Sequence, residues 1–90
     1  MYQPVYTKQF RKDTKRGQKQ NRNVEQFKLI ARELLAGKVL DPIFRDHKLM
    51  GNYKGRRECR VESDWLLIYK HQEDRIVFER IGSHSELFSE

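Results

Sequence analysis

Two of the three histidines, His47 and His84, bracket a segment that also carries Glu58, Arg60, Asp64 and Arg80. Together they supply what cleavage of an RNA phosphodiester needs in the absence of a metal. A base must take the 2′-hydroxyl proton, an acid must protonate the 5′-oxygen leaving group, and a cation must stabilise the pentacovalent phosphate. Histidine suits both proton transfers because its ordinary pKa, about 6.5, lies near working pH. Arginine suits the phosphate, since its planar fork gives two hydrogen bonds and keeps its charge. Glu58 and Asp64 can act as bases or orient a histidine, and Phe88 can stack on a base splayed out of single-stranded RNA. Plain structural readings stand beside these: surface histidines, an exposed Arg80–Glu79 pair of little energetic weight, and Phe88 closing the core. A zinc or manganese site from His47, His84, Glu58 and Asp64 is disfavoured, because no pair has tight ligand spacing such as H-x-x-x-H. The expectation is therefore a site with no metal and no cofactor.

The formal net charge of +6 favours a polyanionic partner. Its distribution says more. Residues 1–22 hold Lys8, Arg11, Lys12, Lys15, Arg16, Lys19 and Arg22 against Asp13 alone. Residues 45–60 hold Arg45, Lys48, Lys54, Arg56, Arg57 and Arg60 against Asp46 and Glu58, whereas residues 61–90 are net acidic. A single charge run is as readily a solvated face. Two basic patches in so short a chain point to nucleic acid, because neutralising phosphates supplies most non-specific affinity. Lys8, Arg11, Lys12, Lys15, Arg16, Lys54, Arg56 and Arg57 are accordingly the expected RNA-binding cations, with Phe88.

Elements that can hold these residues are legible in part. Met1–Tyr6 reads as an edge strand, to which Pro4 is suited. Thr7 is placed to cap a basic helix running to about Gln20, poor in apolar residues beyond Phe10. Asn23 followed by Gln26 has capping-box spacing, and Val24, Phe27, Ile30, Ala31, Leu34 and Leu35 recur at three and four residues. Gly37 then supplies a helix stop, and the junction near Asn21–Arg22 makes the helices a hairpin. After Asp41-Pro42 the period changes. Residues 43–53 have no clear period and read as a loop, with His47 in it. Lys54–Val61, Trp65–Lys70 and Arg75–Ile81 read as three strands, the last two joined at His71–Asp74. Alternation places Arg56, Glu58 and Arg60 on one side of their strand, and Cys59 and Val61 inward on the other. The same rule gives Phe78 and Arg80 one face, opposite Val77, Glu79 and Ile81.

This order predicts a single α+β domain over residues 1–90: a short strand, a two-helix hairpin and a three-stranded antiparallel meander, with the helices on one sheet face. Ninety residues bury a modest core. No apolar run is long enough to span a membrane, and the first dozen residues lack the apolar stretch of a signal peptide. Cys59, the single cysteine, excludes an internal disulfide and reads as a buried packing residue. A cytoplasmic protein is the expectation.

At the residues singled out above, the chain resembles the RelE/YafQ toxins of bacterial type II toxin–antitoxin systems, most closely the YafQ branch. The matching text is DHKLMGNYKG, VESDWLLIYK and FERIGSHSELF. The resemblance implies a RelE-like α+β endoribonuclease, an mRNA interferase that cuts mRNA, typically on the ribosome, and stops translation. It also implies a cognate antitoxin that holds the toxin inactive, with operator DNA reached only through that antitoxin. By motif position His47 looks like the family's loop histidine and Asp64 like its aspartate before the tryptophan. Arg80, His84 and Phe88 match its R-x-G-x-H-x-x-x-F pattern. Glu58 stands where that branch tends to have aspartate, which keeps the carboxylate. Arg60 stands where it tends to have histidine, which removes a proton carrier and leaves a phosphate-stabilising cation. The expected roles are His84 as general acid, His47 or Glu58 as base, and Arg60 and Arg80 on the scissile phosphate.

Two other readings compete. A basic module that holds RNA or ribosomes without cutting needs only the N-terminal patch. A DNA-binding corepressor that acts through a partner is the third.

Overall fold

The computed structural model describes residues 1–88. Strand β1 (Gln3–Tyr6) leads into helix α1 (Lys8–Lys19) and helix α2 (Val24–Leu35). Strands β2 (His47–Lys48), β3 (Arg57–Glu62), β4 (Trp65–His71) and β5 (Arg75–Gly82) follow, then a short helix α3 (His84–Phe88). The strands form one five-stranded sheet in the order β1-β5-β4-β3-β2. β1 runs parallel to β5, and every other neighbour is antiparallel. No helix among the described residues is long and apolar enough to cross a membrane.

Both long helices begin and end where local chemistry places them. The Thr7 hydroxyl accepts the Phe10 N–H at 2.9 Å, and the Asn23 side chain accepts the Gln26 N–H at 3.0 Å. Each bond satisfies a donor that the first helical turn leaves unpaired. At the other end of α2, Gly37 takes φ +76°, a backbone state that costs glycine little. Its N–H reaches Leu34 O and that of Lys38 reaches Glu33 O, which closes the helix.

The inner stripe of α2 is the apolar row Phe27, Ile30, Ala31 and Leu34, all buried. The stripe of α1 is unusual: Phe10, Asp13 and Gly17. Phe10 joins a ring cluster centred on buried Phe78, with centroids 5.2 Å to Tyr6, 5.6 Å to Phe27 and 6.0 Å to Phe10. Gly17 lets α1 lie directly on the Trp65 indole, because a Cβ there would sit 2.7 Å from Trp65 Cζ2. Cys59, Val61, Trp65, Leu67, Tyr69, Ile76 and Ile81 complete this helix-side core.

β1 stops at Tyr6, opposite Phe78, so the upper part of β5 has no strand on that edge. The start of α1 takes its place. The Thr7 hydroxyl donates to Glu79 O at 2.9 Å, and Asp13 accepts the Ile81 N–H at 3.1 Å. Backbone groups that a sheet edge would leave open are thus closed by side chains.

Two expectations need correction. Residues 43–53 are not a plain loop: 3-10 turns at Pro42–Phe44 and Gly51–Tyr53 flank β2, which pairs with β3 and adds a fifth strand. Phe78 and Arg80 do not share a face. The β4–β5 register shifts, with Ile68 opposite Arg80 but Tyr69 opposite Phe78, so Glu79 is an extra residue. That bulge reverses the alternation. Phe78 and Ile81 both enter the core, and Arg80 turns to the opposite face.

Candidate active site

The antiparallel register carries one row of residues across four strands: His47 opposite Glu58, Glu58 opposite Ile68, and Ile68 opposite Arg80. Cross-strand partners project from the same face, so three of the expected site residues share the sheet face away from α1 and α2. The next row is Arg60, Leu66 and Gly82. Arg60 is exposed, and among the described residues it forms no ion pair.

His47 is oriented at both ring nitrogens. Nδ1 lies 2.6 Å from Arg45 O, and a carbonyl only accepts, so this nitrogen carries the hydrogen. Nε2, the nitrogen left to exchange protons, lies 3.4 Å from Glu58 Oε1. Arg45 holds its carbonyl there from the left-handed conformation, φ 50°. Such a residue can take a proton at Nε2 beside a carboxylate that stabilises the resulting cation.

Arg80 is held from the α1 side. Its Nε donates to Asp13 Oδ2 at 2.8 Å and its Nη2 to Asp13 Oδ1 at 3.3 Å. The Asp13 side chain is wholly buried, and it holds the Arg80 guanidinium above its ordinary pKa. The exposed-pair reading of Arg80 with Glu79 fails, since Glu79 accepts from Arg56 Nε at 3.0 Å. Asp13 uses the Nε–Nη2 edge of the fork, and Tyr53 also stands beside the guanidinium.

α3 brings up His84 and Phe88, whose rings are 5.0 Å apart, four residues along one helical face. Phe88 in turn meets Tyr53 edge-on at 5.6 Å, and the Tyr53 hydroxyl donates to Leu87 O at 3.4 Å. Leu87 is buried, and its Cδ2 would lie 3.3 Å from a Cβ at Gly82, so α3 packs where the second row has no side chain. Asp64, at φ 52° in the β3–β4 turn, accepts the His84 N–H at 2.9 Å. It touches the His84 backbone rather than its ring, so it anchors the start of α3. Ser83 and Glu86 form a reciprocal cap: Glu86 Oε1 accepts the Ser83 N–H at 2.8 Å, and Ser83 Oγ accepts the Glu86 N–H at 3.1 Å. That bond, together with Arg16, holds the Glu86 carboxyl below the usual carboxylate range.

The expected RNA-binding cations divide into two groups. Lys8, Arg11, Lys12 and Lys15 are exposed on α1, where Arg11 lies 5.7 Å over the Tyr6 ring, and Lys54 is exposed in its turn. Arg56 is paired with Glu79, Arg57 with Asp46 at 3.2 Å, and Arg16 with Asp13 and Glu86. Tyr69 donates to the same Asp46 at 2.8 Å, and burial first, then Asp46, pushes its hydroxyl pKa up. Sequence reasoning missed Asp13, Tyr53 and the Ser83–Glu86 cap. Only the cap had a local signal, Ser-x-x-Glu before an apolar pair.

The family described as "Bacterial toxin of type II toxin-antitoxin system, YafQ" matches residues 2–89. The mRNA interferase toxin YafQ of Escherichia coli K12 is 38% identical over 84 residues, covering 92% of this chain and 91% of the relative. The crystal structure of YafQ from E. coli BL21(DE3) superposes with TM-score 0.93 at 34% identity, covering 99% of this chain and 100% of that one. The toxin chain of the E. coli DinJ–YafQ complex gives TM-score 0.91 at 36% identity, with coverage of 99% and 100%.

Proposed function

We propose, for a chain that belongs to the YafQ family of type II toxin–antitoxin toxins, that it is an mRNA interferase inhibiting translation by metal-free cleavage of mRNA, on the ribosome. The relative's printed name, mRNA interferase toxin, supports the activity. The crystal complex of a family member with DinJ supports a cognate antitoxin as partner.

The observation that carries the chemistry is the row His47–Glu58–Ile68–Arg80, with His84 and Phe88 brought up on α3. In this reading Nε2 of His47 takes the 2′-hydroxyl proton, and Glu58 stabilises the imidazolium that forms. The 2′-oxygen attacks phosphorus, His84 gives a proton to the departing 5′-oxygen, and a 2′,3′-cyclic phosphate remains. The partly exposed Arg80, and Arg60, which forms no ion pair among the described residues, take the charge that develops on the phosphate. Phe88 stacks on a base beside the cut, and Asp64 acts by positioning His84. Lys8, Arg11, Lys12, Lys15 and Lys54 bind phosphates away from the reaction centre.

The test is incubation of labelled mRNA with the purified protein, alone and on programmed ribosomes, beside His84→Ala. Cleavage by the wild type with loss in the folded variant is the expected result. Full cleavage by His84→Ala would remove its assignment. Binding with no cleavage in either setting would favour the non-catalytic module, whose supporting feature is the exposed basic face of α1.

A further inference from the structure

α1 reaches the candidate site at two points, one helical turn apart. Asp13 holds Arg80 on β5. Arg16 places Nη2 3.2 Å from Asp13 Oδ1 and Nε 3.0 Å from Glu86 Oε2 on α3. Glu86 closes the cap on Ser83, the residue before His84. One chain of charge-assisted bonds therefore runs Arg80–Asp13–Arg16–Glu86–Ser83. It joins the arginine of the cross-strand row to the first turn of the helix that carries His84 and Phe88.

The backbone leaves room for this link at one point. A Cβ at Gly82 would lie 3.0 Å from Glu86 Oε1 and 3.3 Å from Arg16 Nη2. The pair thus occupies the space over β5 that a side chain there would fill. Elsewhere α3 is short, five residues, and a helix of that length does not hold itself in place. Arginine suits the link because separate nitrogens of its rigid fork meet two different carboxylates; the single ammonium of lysine presents no such fork.

We infer that Arg16 is a positioning residue for RNA cleavage: by bridging Asp13 and Glu86 it sets the placement of His84 and Phe88 relative to Arg80. Resting on the cleavage chemistry proposed above, this removes Arg16 from the RNA-binding cations and gives it a role through its neighbours. Its consequence for kinetics is specific. A cation that holds RNA affects substrate affinity. A residue that sets the distance between acid and phosphate-binding group affects the chemical step, where small displacements cost much rate.

The experiment measures kcat and KM on programmed ribosomes for the wild type, Arg16→Gln, Glu86→Gln and the double variant. Arg16 and Glu86 are partly exposed, and these variants retain the apolar core. Each single change is expected to lower kcat roughly tenfold or more with KM within about twofold of wild type. The double variant is expected to be no slower than the worse single one, because both remove the same link. Glu86→Gln is the decisive arm: removing a negative charge near an RNA site would tighten binding on electrostatics alone, whereas here it slows turnover. A rise in KM at unchanged kcat for Arg16→Gln would return it to RNA binding and overturn the inference. Losses that add in the double variant, or a Glu86→Gln enzyme at wild-type speed, would overturn it too. Failure of the wild type itself to cleave RNA is a separate result, which would remove the cleavage reading on which the link depends.

Discussion

Asp13 holds Arg80 by the Nε–Nη2 edge of its guanidinium. The two residues are 67 positions apart in sequence, yet they meet through two hydrogen bonds of 2.8 and 3.3 Å. The carboxylate also accepts from Gln9 at 3.0 Å, from Arg16 and from the Ile81 N–H. A buried charge is tolerable only when paired and hydrogen-bonded in this way.

Asp13→Asn keeps the shape but removes the charge and half of the acceptors. Arg80 then faces an amide, and a buried donor is set against the Ile81 N–H or the guanidinium. The expected loss is about 2–4 kcal/mol of stability, below the figure for a fully dry pair because Arg80 is partly exposed. Urea unfolding checks it, and an unchanged midpoint would contradict this account of α1.

Asp64 separates a capping role from a proton-carrying one. Asn offers the same oxygen to the His84 N–H and tolerates the left-handed backbone at φ 52°. Asp64→Asn should therefore keep most of the RNA cleavage, and Asp64→Ala should lose it along with roughly 1 kcal/mol of stability. Abolition of cleavage by the asparagine variant would make Asp64 a proton carrier after all.

Gly17 sits inside a helix, where alanine is ordinarily the better residue by about 1 kcal/mol. Contact with Trp65 reverses that preference, since the new methyl would meet Cζ2 at 2.7 Å. Gly17→Ala is expected to destabilise by about 1–3 kcal/mol, the range for overpacking a tight core. A thermal melt shows the sign directly, and a raised melting temperature would mean that α1 moves off the indole freely.

Glu86 makes stability depend on pH in one direction. Its folded-state pKa is held below its unfolded value by the Ser83 N–H and Arg16. Such a group adds stability above the unfolded pKa, about 4.3, and that contribution fades as pH falls through the folded value. The gap in melting temperature between wild type and Glu86→Gln should be present at neutral pH and shrink on acidification below that point. A gap that stays constant would assign the effect to packing.

Much of the candidate site is legible because residue types suited to this chemistry are few and their motifs are local. His47, Glu58, Arg60, Arg80, His84 and Phe88 are named by residue type and spacing, and the structure brings His47, Glu58 and Arg80 into one row. For Asp64 the sequence leaves a base and an orienter of histidine both open, because its contact with the His84 backbone joins residues 20 positions apart. Arg16, Arg56 and Arg57 read as free cations because charge runs in sequence do not reveal the carboxylates that neutralise them.

By itself the chain determines where its helices start, the inward stripe of α2 and the order of its main strands. Thr7, Asn23 and Gly37 act within a turn of their own backbone, so their effect is written in neighbouring residues. Tertiary pairing decides the rest: the two-residue β2, the bulge at Glu79 that turns Arg80 away from Phe78, and the meeting of Arg80 with Asp13. A two-residue strand has no period to detect, a bulge shows only against its partner strand, and a buried ion pair forms only after both elements have packed.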